Sequence, residues 1–138
     1  MTQISLRTAL VSLTLAAALA APAAAQSLRV EQRVNVSATA NGFAVQNGGG
    51  LGARGMWCGA STYATKVLGA SGTDRIYVSK GRGRGLGARG PVEFTLNPAG
   101  LTPQPATILG ASINQPGANL SVAHAGQFCI DFRIRSSR

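Results

Sequence analysis

The feature that most limits what this chain can fold into is a pair of cysteines, Cys58 and Cys129, about seventy positions apart in a sequence of 138 residues. Whether they bond depends on the compartment, and the amino terminus addresses that. Arg7 precedes the apolar run Thr8-Ala9-Leu10-Val11-Ser12-Leu13-Thr14-Leu15, and an alanine-rich stretch ends at Ala23-Ala24-Ala25. One positive charge, a short apolar core and an A-x-A site predict a secretory signal peptide over residues 1–25, cut after Ala25. A spanning helix needs about 20 apolar residues, and Pro22 with its small neighbours argues against one. An exported chain reaches the periplasm or the exterior, where an even pair of cysteines in a small domain forms a disulfide. Closing that loop removes unfolded-state entropy worth about 4 kcal/mol, against a total stability of ~5–15 kcal/mol for a typical domain.

Removal of residues 1–25 leaves 113 residues, predicted to form a single domain over 26–138 with a modest core. It removes only Arg7 among the charged side chains, so twelve basic and four acidic residues remain, a charge of +8. Such a surface attracts polyanions: an anionic surface, a glycan or an acidic protein. The mature part carries no further long apolar run, so no transmembrane segment is expected there.

Patterning predicts an α+β fold, one helix packed on a mostly antiparallel sheet. Leu28, Val30, Val34 and Val36 alternate with polar residues as in a half-buried strand, Asn41-Gly42 signals a turn, and Phe43-Ala44-Val45 begins the return. From Trp57 the period changes: Trp57, Ala60, Ser61, Ala64, Val67 and Leu68 share one helical face, with Gly69 as the C-cap. Residues 75–79 and 92–96 read as strands, 106–109 as a short one, and 97–100, 103–105 and 114–117 as loops. Leu120–Ala123 and Phe128–Phe132 read as a closing hairpin turning near Ala125-Gly126. The predicted disulfide would then join the helix to the last strand. From Arg133 onward the tail, with Arg135 and Arg138, is expected to fray.

The run Trp57-Cys58-Gly59-Ala60-Ser61, continued by Thr73-Asp74-Arg75-Ile76-Tyr77-Val78 and Gly81-Arg82-Gly83, resembles small exported bacterial proteins of uncharacterised function. The resemblance covers about the middle third of the chain and implies no activity.

The hexapeptide GLGARG occurs twice, at 50–55 and 85–90, inside glycine- and arginine-rich loops predicted over 46–56 and 80–91. Both copies spell G-x-G-x-x-G, the turn that holds a dinucleotide pyrophosphate between a strand and a helix, with an acid about 20 residues on for the ribose. The first copy has a strand before it, a helix after it, and Asp74 nineteen residues beyond Gly55. Yet Asp74 precedes a strand rather than closing one, Gln46-Asn47-Gly48-Gly49 separate strand from motif, and the chain is too short for a doubly wound sheet. The second copy runs into Pro91 and a strand, so it has no helix terminus to offer. Neither copy ends as a P-loop does. No cofactor is expected, and the copies read as turns in which glycine supplies positive φ.

Their arginines carry the functional expectation. Arg82, Arg84 and Arg89 share one loop and Arg54 lies in the other; guanidinium groups bind phosphate or carboxylate oxygens in pairs. These four are the predicted anion-binding residues. The stretch has no interleaved aromatics for base stacking, so sequence-specific nucleic-acid binding is not expected.

Catalytic material is sparse: His124 and the acids Glu31, Asp74, Glu93 and Asp131. No G-x-S-x-G elbow occurs, the acids show no pairing, and no C-x-x-C spacing suggests zinc, so no metal is expected. The one enzyme reading is a cysteine-dependent hydrolase with Cys58 at a helix start and His124 as base. It competes directly with the disulfide. The sequence therefore favours a non-catalytic exported module with a basic loop surface.

Overall fold

The computed structural model describes residues 27–30, 34–83, 89–105 and 112–136. The predicted signal peptide, the strand expected over 106–109, Glu31 and Arg84 lie outside the described residues. Seven strands form one sheet: β1 (Ser27–Val30), β2 (Val34–Thr39), β3 (Gly42–Val45), β4 (Arg75–Lys80), β5 (Val92–Thr95), β6 (Gln104–Pro105) and β7 (Ala118–Ser121), in the order β1-β2-β3-β5-β4-β7-β6. All neighbours are antiparallel except the short β6, which joins β7 in parallel. With three helices, α1 (Gly52–Lys66), α2 (Val122–Gln127) and α3 (Ile130–Ser136), this is a small α+β domain with the sheet dominant.

The alternation over Leu28–Val36 belongs to two strands, not one. Val30, the end of β1, pairs with Val34, the start of β2, although the apolar period of the sequence runs on from one to the other. At Asn41-Gly42 the chain does turn, with Thr39 opposite Gly42. Gly42 is required there because a Cβ would overlap the Phe94 carbonyl of the neighbouring strand.

β3 and β4 each run antiparallel to β5, which lies between them, so they are parallel to one another. α1 is the connection between them, and it buries its face on the sheet. Gly59 lies against Val34, Val36 and Val45, and Trp57 meets Phe94 edge-on with ring centroids 5.1 Å apart. Phe43 stacks on Tyr63 at 4.8 Å, and burial pushes the Tyr63 phenol above its usual pKa. One flaw is built in: the Trp57 Nε1–H is buried without an acceptor, a cost of about 1–3 kcal/mol.

α1 begins five residues before the predicted Trp57 and is buried over an unbroken run from Gly55 to Ser61. A helix facing only a sheet would not bury seven successive positions. α2 closes its other side. Ser61 Oγ donates to the Val122 carbonyl at 2.8 Å, and Gly126 sits so near Ser61 that a Cβ would come within 3.1 Å of its hydroxyl. Leu68, assigned by sequence to the buried face, is 47% exposed, because the helix has ended by then. Gly69 follows with φ +69° as a helix stop requires.

The carboxy-terminal hairpin expected from the sequence is instead β7 followed by two helices. Ser121 caps α2, its Oγ accepting from the His124 N–H at 3.2 Å. Cys129 therefore lies in the link between α2 and α3 and not in a strand, and the Cys58–Cys129 disulfide joins α1 to that link with Cα atoms 4.9 Å apart.

Candidate functional site

The register locates both glycine loops at one end of the sheet. Val45, the last residue of β3, pairs with Val92, the first of β5, and Lys80, the last of β4, pairs with Glu93. The chain therefore leaves β3 into segment 46–51, leaves β4 into segment 81–91 and re-enters β5 at the same edge. α3 reaches this end too: Gly49 lies against the Phe132 ring, and Asp131 pairs with Arg54 in the first turns of α1.

The segment predicted as a loop over 46–56 is a loop only to Leu51. Gly49, Gly50 and Gly52 take φ of +58°, +87° and +56°, values open to glycine at little cost. They fold the chain back so that Gly48 and Gly55 touch; a Cβ on either would overlap backbone, at Gly52 from the first and at Gly48 from the second. The first G-x-G-x-x-G is thus the packed entry to a helix, and its last glycine serves close backbone approach.

Asp74, the acid a dinucleotide would need, lies at the far end of β4. Six residues of strand, about 20 Å at ~3.3 Å per residue, separate it from the loop end. Its carboxylate accepts from the Ser71 N–H at 2.7 Å and closes a turn.

Of the four predicted anion-binding arginines, three are in the described residues. Arg54 Nη1 donates to Asp131 Oδ2 at 3.0 Å, and its guanidinium lies 5.5 Å from the Phe128 ring centre. Its side chain is still 61% exposed, so this surface pair contributes on the order of 0–1 kcal/mol. Arg82 is half-buried; its Nε donates to the Gly90 carbonyl at 3.0 Å, while Nη2 lies 3.9 Å from Met56 Sδ. That bond ties the two arms of segment 81–91 together. Arg89 is exposed beside it. Arg54 and Met56, two positions apart, stand about 200° apart around α1. Arg54 and Arg82 therefore flank opposite sides of the helix start rather than clustering.

An open groove of about 420 Å³ runs beside Arg54, lined by Gly50, Leu51, Arg54, Asp131 and Ile134. Sequence reasoning passed over Asp131 as an ion-pair partner and over the isoleucines of α3, since both fell in a segment read as a strand. A signal existed: Ile130, Phe132 and Ile134 suit a short helix as well as a strand.

Cys58 is bonded to Cys129, and a disulfide sulfur is no nucleophile, so the oxidised chain lacks the thiolate that a hydrolase would use. His124 is on the exposed side of α2, its ring 5.9 Å from that of Phe128. Among the described residues, no three of His, Cys, Asp and Glu gather as metal ligands, and no helix is long and apolar enough to cross a membrane. No protein-family model, curated protein or solved structure matches the chain.

Proposed function

We propose that this is a non-catalytic module, exported by residues 1–25, whose basic sheet end contacts an anionic partner or surface. The single observation behind this reading is that Arg54, Arg82 and Arg89 stand at one end of the sheet, in a protein whose mature part carries a charge of +8. Among the described residues, the three acids are already engaged. Asp131 holds Arg54, Glu93 holds Lys80 at 3.6 Å, and Asp74 closes a turn. What an approaching polyanion meets is the positive excess. Guanidinium groups suit phosphate, sulfate and carboxylate alike, so the loop reads charge and spacing, not one sequence or sugar.

Replacing Arg82, Arg84 and Arg89 together with Ser tests this on a heparin column. The triple variant is expected to elute at distinctly lower salt, with a shallower dependence of affinity on salt, while remaining folded with a small drop in melting temperature from the lost Arg82–Gly90 bond. Unchanged elution with an intact fold would remove the loop from the account.

A further inference from the structure

We infer that the anionic partner is a phospholipid bilayer, and that α3 supplies the apolar half of the contact; the inference rests on the reading above. α3 carries Phe132 toward the body of the protein, against Gly49 and packed on the core. Ile130 and Ile134 are four positions apart, centred about 180° around the helix from Phe132. They are 44% and 56% exposed, and with Leu68 they are the large hydrophobic side chains left open among the described residues. Leu68 stands alone beyond the far end of α1, whereas the two isoleucines adjoin the basic end.

The surroundings fit a lipid headgroup layer. Arg133 is exposed on the same short helix, Arg135 follows in its sequence, and the one acid on α3, Asp131, is neutralised by Arg54. The groove beside Ile134 adds Leu51 to its lining, with Arg54. A short helix with apolar residues on one side and flanking cations is the arrangement by which a protein lies in an interface, apolar side chains below the headgroups and guanidinium groups among them. A soluble glycan or nucleic acid offers the arginines a partner but gives an isoleucine nothing to be buried in. A second copy of the chain would set two basic ends against each other, and two isoleucines bury far less than the area a stable dimer needs.

The oxidised, exported protein should be titrated with vesicles of phosphatidylcholine alone and with a third of phosphatidylglycerol, and in parallel with heparin. Binding is expected only to the anionic vesicles. Ile130→Ser with Ile134→Ser should lower vesicle binding about tenfold, leave heparin elution unchanged, and keep the parent melting temperature. Ile130→Leu with Ile134→Leu should restore vesicle binding, which separates a lost apolar contact from a damaged helix. Vesicle binding that ignores the serine pair overturns the inference and leaves the polyanion reading standing. Failure to bind heparin as well as vesicles overturns both. A change from dimer to monomer in the serine variant, by sedimentation, would assign the isoleucines to a second copy and also overturn it.

Discussion

Gly55 and Gly90 close the same hexapeptide, yet a methyl group would meet opposite fates at the two positions. At Gly55 it would drive into the Gly48 backbone, while at Gly90 it would meet no atom of the described residues within 4 Å, chain neighbours aside. The arginines before them differ in the same sense. Arg54 is held by Asp131 and Phe128, whereas Arg89 is an exposed side chain. The difference comes from what each copy leads into. The first feeds a helix buried on two sides and tied by Cys58 to Cys129; the second leads through Pro91 into β5. A motif of six residues carries no fixed role. Its neighbours decide whether glycine provides packing and arginine an ion pair, or whether the same letters make a charged surface.

The strongest way to erase that contrast is to cut the staple. Replacing both Cys58 and Cys129 with Ala should cost about 4 kcal/mol, read as a fall in the denaturant midpoint. Exchange of the α1 amides should then rise toward that of the second copy. In the oxidised parent, an alkylating probe is expected to label neither cysteine without reductant, and labelling of Cys58 would reopen the hydrolase reading.

Next in size is the glycine pair. Gly55→Ala should lose about 1–3 kcal/mol because backbone, not a flexible side chain, stands in the way; the gain in helix propensity, about 0.5–1 kcal/mol, offsets only part of that. Gly90→Ala should change stability by less than about 0.5 kcal/mol. Equal melting temperatures for the two variants would break the comparison.

Smallest are the arginines. Arg54→Ser should cost about 0.5–1 kcal/mol through the ion pair and the ring contact, and part of the effect should vanish in high salt. Arg89→Ser should leave stability alone and appear only in heparin elution.

The sheet was legible in the sequence because its strands alternate cleanly and are bounded by turn residues. The division into β1 and β2 was not, since the apolar period of Leu28 and Val30 runs on in Val34 and Val36. The disulfide followed from compartment and count. Its setting did not, because Leu120–Phe132 suits either a hairpin or short helices. Short apolar runs do not separate these periods. Ser121 three residues before His124 was the overlooked cap, and Gly126 looked like a turn although it marks a close helix approach. α1 was recognised, but its start was placed too late: Gly52 and Gly55 disfavour a helix by about 1 kcal/mol each, and only tertiary packing with Gly48 and the disulfide reverses that. The arginines were identified by type and spacing. That Arg54 already has an acid was invisible, because Asp131 is remote in sequence and reaches it only through α3.

Hydrogen exchange on one oxidised sample, with and without heparin, bears most directly on the division between the two copies. Met56–Ala60 should be slow from the outset and unaffected by the polyanion, while residues 83, 89 and 90 should exchange fast when unbound and slow when heparin is added. Slow exchange at Arg89 and Gly90 in the unbound protein, or a heparin effect confined to Met56–Ala60, would contradict the assignment of packing to the first hexapeptide and of anion contact to the second.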